Sequence, residues 1–171
     1  MERAESMAGM VQRDFEELLE RHRAIVFKVA NTYCRHPDDR ADLVQEIAAQ
    51  LWRAWRDYDS ARAFTTWMYR IALNVAISHV RADSQRQHRD VPLDDGLHEV
   101  ADNNAADPEG DERMQLLQAF IARQSPLDRA ILLLYLDERS QREIGEIVGL
   151  SETNVSTKIG RLKQRLRNDL S

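Results

Sequence analysis

Apolar residues recur at three- and four-residue spacing through most of the chain, and no stretch shows the two-residue alternation of a half-buried strand. Phe15, Leu18, Leu19, His22, Ile25, Val26, Val29, Ala30 and Tyr33 line one face of a single amphipathic helix. Pro37-Asp38-Asp39 opens a second helix, with Leu43, Ile47, Leu51 and Trp55 at four-residue steps. After a short loop, Asp59 to Ala63, a third helix buries Phe64, Trp67, Met68, Ile71, Ala72 and Val75 and runs to about Ala82. In the second half, Ser125-Pro126-Leu127-Asp128 puts proline at the first helical position, where a missing N–H costs nothing, and leads into Ile131 to Leu136. The expected fold is all-α.

The last third carries the most specific pattern. Ser140 caps a short helix with Glu143 three residues on to complete a capping box, and Ile144, Ile147 and Val148 follow at helical spacing. Gly145 is small where a crossing helix comes close, and Gly149 can take the positive φ that a tight turn demands. Leu150 then points inward, Ser151 caps a second helix, and Val155, Ile159, Leu162 and Leu166 form its apolar stripe. Two helices joined in this way form a helix-turn-helix, which sets its second helix in a DNA major groove. A helical hairpin in an ordinary bundle has the same caps, so the charge pattern has to discriminate. From Thr153 to Asn168 there is no acid, against Lys158, Arg161, Lys163, Arg165 and Arg167. A merely solvated face mixes signs, whereas a phosphate-facing helix needs one sign.

A net charge of −5 over 171 residues conflicts with that reading until it is mapped. Nine of the 29 acidic residues (Asp90, Asp94, Asp95, Glu99, Asp102, Asp107, Glu109, Asp111 and Glu112) fall in one segment that holds none of the 24 Lys and Arg. The remainder of the chain therefore carries +4. The segment also contains Pro92, Gly96, Asn103, Asn104, Pro108 and Gly110 and lacks helical periodicity, so it is expected to be a linker. The expected division is a tail over 1–12, a helical domain over 13–89, an acidic flexible linker over 90–112 and a helix-turn-helix domain over 113–171.

Other chemistries find little support. The single cysteine, Cys34, excludes an internal disulfide and a multi-cysteine metal site. His22, His36, His79, His88 and His98 form no pair at metal spacing, and there is no phosphate loop. No cofactor, metal or catalytic residue is expected, and neither a membrane span nor a secretory signal is present, which points to a cytoplasmic protein. Two features of the first half remain. Asp42-Leu43-Val44-Gln45-Glu46 joins buried apolar positions to an acidic and amide face. Thr66, Arg70 and Asn74 share a face close to Phe64, Trp67 and Tyr69, and aromatics beside Arg and Asn are what single-stranded bases need for stacking and edge contacts. Taken alone, these residues are better described as core aromatics with a solvated polar rim.

Taken together the motifs resemble the extracytoplasmic-function sigma factors, the smallest sigma subunits of bacterial RNA polymerase within the sigma-70 family. Asp42-Leu43-Val44-Gln45-Glu46 is similar to that family's DLVQE stretch, and Thr66-Trp67-Met68-Tyr69-Arg70-Ile71-Ala72-Leu73-Asn74 to its TWLYRIAxN stretch. Ser125 onward, with the helix-turn-helix, is similar to its C-terminal domain. The resemblance implies a protein that is no enzyme by itself and that gives core RNA polymerase its promoter specificity. Asp42, Leu43, Gln45 and Glu46 would meet the polymerase clamp. Arg62, Phe64, Arg70 and Asn74 would contact the melted −10 element, and Asn154, Ser156, Thr157, Lys158, Arg161 and Arg165 the −35 element. Core polymerase and promoter DNA are the implied partners, and the sequence leaves an anti-sigma factor open. Two departures stand out: the loop before Phe64 is short and lacks the usual glycine and acids, and Ser156 and Gly160 replace a basic and a bulkier residue. A stand-alone helix-turn-helix repressor would leave the two N-terminal motifs without a purpose, and a sigma-like adaptor acting only through protein contacts is the other alternative.

Overall fold

The computed structural model describes residues 2–87 and 108–171, and the regular elements among them are all helices. They are α1 (Glu2–Arg21), α2 (Arg23–Tyr33), α3 (Pro37–Ala54), α4 (Phe64–Gln87), α5 (Pro108–Ala122), α6 (Pro126–Leu136), α7 (Gln141–Val148) and α8 (Glu152–Leu170), with a single 3₁₀ turn at Trp55–Asp57.

In the first half, the long helix expected from Phe15 to Tyr33 is broken at His22, which sits at φ −112 and ψ 15 with no side-chain cap. Its carbonyl accepts from Ile25 N–H over a tightened turn, at 3.0 Å. On either side of the break, Phe15 packs against the rings of Trp52 and Trp55, and Ile25, Val26, Val29 and Ala30 are buried in the same core. The same apolar period runs through both halves, so nothing in the pattern marks the break. The segment expected as a tail is also helical from Glu2, and the indole of Trp55 donates to the Val11 carbonyl at 3.2 Å. Helix α3 starts as expected at Pro37, with His36 Nδ1 accepting from Asp38 N–H. Leu43, Ile47 and Leu51 are wholly buried.

Helix α4 departs from expectation in its rotation. Its most buried positions are Met68, Tyr69, Ala72, Leu73 and Ala76, whereas Phe64, Trp67, Ile71 and Val75 are only partly covered. The reason is that α4 is covered from two sides, by α2 and α3 and by the C-terminal helices α6 and α7. At the linker, residues 108–112 form the start of α5, with Pro108 as the first helical residue. The acids from Asp90 to Asp107 lie outside the described residues.

The C-terminal helices follow the expected caps closely. Ser125, Ser140 and Ser151 each accept from the N–H three residues on, at 3.2, 3.1 and 3.2 Å. Each serine thereby satisfies one of the orphan N–H groups that begin a helix. The Glu143 carboxylate, expected to close a capping box, lies instead 3.7 Å from Arg139 Nη1. Gly149 adopts φ 78, and both its N–H and that of Leu150 bond the Gly145 carbonyl. This returns the chain so that Val155, Ile159 and Leu162 of α8 complete a core with Phe120, Ile131, Leu134, Ile144 and Ile147.

The two helical halves pack on each other. Asp137, the C-cap of α6, accepts hydrogen bonds from Lys28 Nζ (2.7 Å), the Tyr69 hydroxyl (2.8 Å) and Arg139 Nε (3.2 Å). Arg139 also donates to Thr65 Oγ1 at 3.2 Å and lies over the Tyr69 ring, and the Tyr33 hydroxyl donates to the Pro126 carbonyl at 2.7 Å. Burial alone would raise the Asp137 carboxyl, but the hydrogen bonds from Lys28, Tyr69 and Arg139 outweigh it and hold it below its usual range.

Two glycines should respond in opposite directions to alanine. A Cβ at Gly145 would lie 2.6 Å from the Leu150 carbonyl oxygen, backbone that cannot yield without reopening the turn. Gly145→Ala is expected to cost about 1–3 kcal/mol, the usual effect of overpacking. At Gly160 nothing lies within 4 Å, so Gly160→Ala should stabilise the helix by about 0.5–1 kcal/mol. Urea unfolding followed by circular dichroism reads both, and equal signs would contradict the packing described.

Candidate nucleic-acid interface

Burying Leu43, Ile47 and Leu51 turns Asp42, Gln45 and Glu46 outward on α3, and all three are exposed. Leu43 does not belong with them. Its side chain is 0% exposed, so it is a core residue with no surface to offer a partner. The Glu46 carboxylate lies 3.5 Å from Nδ1 of His79 on α4, whose other nitrogen is 3.4 Å from Asp83.

At the start of α4 the loop is fixed by its own side chains. Asp59 Oδ1 accepts from Ala61 N–H at 2.9 Å, and the Tyr58 hydroxyl donates to the Arg62 carbonyl at 2.7 Å. The Arg62 side chain is exposed and Phe64 is half-buried in a cluster of rings. Trp67 and His22 lie 5.4 Å from the Phe64 ring, Tyr58 5.7 Å and Trp55 6.2 Å. Arg70 and Asn74 are exposed about two and three turns along α4 from Phe64. Tyr69, expected near them as a stacking surface, is 0% exposed and faces the C-terminal helices instead. Trp55 and Tyr58 were missed as members of this aromatic site. Their three-residue spacing just ahead of Phe64 was the available signal.

On α8 the buried stripe of Val155, Ile159 and Leu162 sets the rotation. Asn154, Thr157, Arg161 and Arg165 are exposed on one side. At about 100° per residue, Ser156 falls about 140° around the axis from Arg161, so these two implied −35 contacts lie on different sides of the helix. Lys158 is half-buried and reaches across to Asp128 of α6 at 3.5 Å, and Arg165 lies 3.9 Å from the same carboxylate and 3.4 Å from Gln124 Oε1. Lys163 sits over the Tyr135 ring. Arg161 has no hydrogen bond or ion pair among the described residues, so its fork is free for a guanine edge or a phosphate. Asp128 went unrecognised in this role, because a contact spanning 30 residues leaves no periodic trace.

Other chemistry is not assembled here. Burial, together with Asp39 and Asp83, pushes the Cys34 thiol up to about 11, the state of a packed residue and not of a nucleophile. No group of three or more His, Cys, Asp or Glu side chains among the described residues is placed to hold a metal ion. No described helix is long and apolar enough to cross a membrane.

Comparison with known proteins returns one family for both halves. The Sigma-70 region 2 family matches residues 18–86 and the Sigma-70, region 4 family matches residues 114–166. The RNA polymerase sigma factor CnrH of Cupriavidus metallidurans is 30% identical over 163 residues, covering 91% of this chain and 85% of that protein. The ECF RNA polymerase sigma factor SigW of Bacillus subtilis is 24% identical over 168 residues, covering 93% and 90%. Among solved structures, the sigma factor RpoE in complex with the anti-sigma factor NepR from Bartonella quintana shares the fold. Its TM-score is 0.73 at 17% identity, over 92% of this chain and 97% of that one.

The Asp128 contacts yield a test of how α8 meets DNA. Asp128→Asn removes the charge holding Lys158 and Arg165 against α6 while keeping the amide shape. Both cations become available to phosphates, so the dependence of DNA binding on salt should steepen by about one to two phosphate contacts. Titrations at several salt concentrations read the slope, and an unchanged slope would show that these cations already face the duplex.

Proposed function

The chain belongs to the sigma-70 family of RNA polymerase sigma factors, in its extracytoplasmic-function group, and on that premise we propose how its surfaces divide the work of promoter recognition. It is a sigma factor of transcription initiation. In the proposed division, Asp42, Gln45 and Glu46 of α3 contact core polymerase, and Leu43 supports that face from beneath. Phe64 and its ring cluster, with Arg62, Arg70 and Asn74, receive the unstacked bases of the −10 element. The side of α8 carrying Asn154, Thr157, Arg161 and Arg165 enters the major groove at the −35 element, and Ser156 and Lys158 flank it. The protein works in the cytoplasm and performs no chemistry of its own.

The observation that carries this reading is α8 itself. Its apolar stripe is buried, its N-terminus is capped by Ser151, and its outward side holds no acid from Thr153 to Asn168. Such a helix presents fixed donors to base edges and cations to phosphates. CnrH has been solved with the cytosolic domain of CnrY and RpoE with the anti-sigma factor NepR, which supports a protein partner of the same kind for this chain. Run-off transcription with core polymerase on a genomic library is the decisive experiment, and specific start sites are the expected result.

Two substitutions divide the roles. Gln45→Ala/Glu46→Lys should weaken capture of core polymerase while shifting stability by about 0.5 kcal/mol or less, as exposed positions do. Full capture by this variant would remove α3 from the polymerase interface. Arg161→Ala should cost about 1–3 kcal/mol and relax preference at one −35 position if the fork reads a guanine, or weaken all sequences equally if it meets phosphate. Binding across a set of −35 variants at two salt concentrations separates these results, and no loss in any of them would exclude Arg161 from the groove.

A further inference from the structure

Of Asp42, Gln45 and Glu46, the outward residues of α3, only Glu46 has a polar side-chain partner among the described residues. That partner is His79 of α4. Glu46 Oε2 lies 3.5 Å from His79 Nδ1, and Asp83 Oδ2, one turn further along α4, lies 3.4 Å from Nε2. The imidazole is 20% exposed, against 58% for Glu46 and 45% for Asp83, so the ring is the inner member of a carboxylate–imidazole–carboxylate row. Its Nε2 is enclosed and makes no hydrogen bond, so Asp83 meets it as a neighbouring charge and not as an aligned acceptor. The two carboxylates face different ring nitrogens and do not converge on a point where a metal ion could sit.

We infer that His79 is a positioning residue for polymerase binding: it holds the Glu46 carboxylate in one orientation on α3, with one oxygen engaged and the other presented to a cationic group of the partner. The inference rests on the proposed assignment of α3 to core polymerase. A glutamate on a helix surface samples several rotamers, and a partner that needs one of them must immobilise it on binding. A side chain already held by a mostly covered ring avoids part of that loss. Contact through Oε2 leaves Oε1 without a partner among the described residues. A carboxylate oxygen only accepts, and its strongest donors are Lys and Arg. His79 acts here through Glu46, from beneath the surface.

The test combines NMR of the His79 ring nitrogens in the full chain with its affinity for core polymerase. Glu46→Gln should shift chiefly Nδ1, and Asp83→Asn chiefly Nε2. His79→Ala should weaken polymerase capture about two- to fivefold, the range of a partly exposed ion pair. An asparagine amide falls where Nδ1 stood and a glutamine amide where Nε2 stood, so His79→Asn should bind like wild type and His79→Gln like His79→Ala. In a Glu46→Gln background His79→Ala should add no further loss, whereas a residue needed only for folding would add the same loss in both. An unmoved Nδ1 in Glu46→Gln, equal binding by the Asn and Gln variants, or additive losses would overturn the positioning role. Histidine and asparagine have similar helix propensities, so His79→Asn and the ring shifts keep the test decisive if His79→Ala impairs folding. If the shifts appear but Glu46→Gln captures polymerase as wild type does, the contact stands, and the assignment of α3 to polymerase falls together with the positioning role.

Discussion

A phenol hydroxyl enclosed in a helical bundle must find an acceptor, because burying it unpaired costs about 1–3 kcal/mol. Tyr69 is enclosed in this way, and its acceptor is a carboxylate 68 residues away. Much of the architecture is consistent with that one requirement. It fixes the rotation of α4, with Tyr69 inward and Phe64 and Trp67 on the flank, and it brings Asp137 to the surface of the first domain. Lys28 and Arg139 then balance the partly buried charge, while burial and the Asp137 partner together raise the Tyr69 hydroxyl well above its ordinary range. The ring cluster around Phe64 is therefore left at the edge of the interdomain contact, partly covered.

The second domain depends on closeness of backbone. Gly145 lies under the Leu150 carbonyl at a separation no side chain permits, and Gly149 supplies the left-handed turn that leads into it. With three serine caps satisfying the helix starts, α8 has little freedom to rotate, and its outward side is set by Val155, Ile159 and Leu162. Asp128 then divides the basic residues of α8 into two kinds. Lys158 and Arg165 are drawn toward α6, and Arg161 is left free. On the side of α8 that carries Asn154 and Thr157, Arg161 thus has no hydrogen bond or ion pair among the described residues, while Lys158 and Arg165 are tied to α6.

Signals acting within about four residues were legible before any coordinates. The all-α class, the start of α3 at Pro37, the caps at Ser125, Ser140 and Ser151, the turn at Gly149 and the outward Asp42, Gln45 and Glu46 all follow from periodicity and local hydrogen bonding. What was misjudged lies where an apolar pattern has more than one use. The stripe from Phe15 to Tyr33 is continuous in sequence but belongs to two helices that meet at His22. Pro108 and Gly110 looked like linker residues, yet proline suits the first turn of a helix and α5 begins there.

Tertiary structure alone decided which of several apolar faces of α4 became the core, because that depends on what covers the helix from the far side. It also decided that Tyr69 seeks Asp137 and that Lys158 and Arg165 answer to Asp128. The difference has one physical cause. A cap or a turn is satisfied by neighbours along the chain, so residue type and spacing specify it. A buried hydroxyl or a paired charge is satisfied by whichever group the packing brings within 3–4 Å, and chain separation carries no trace of that partner.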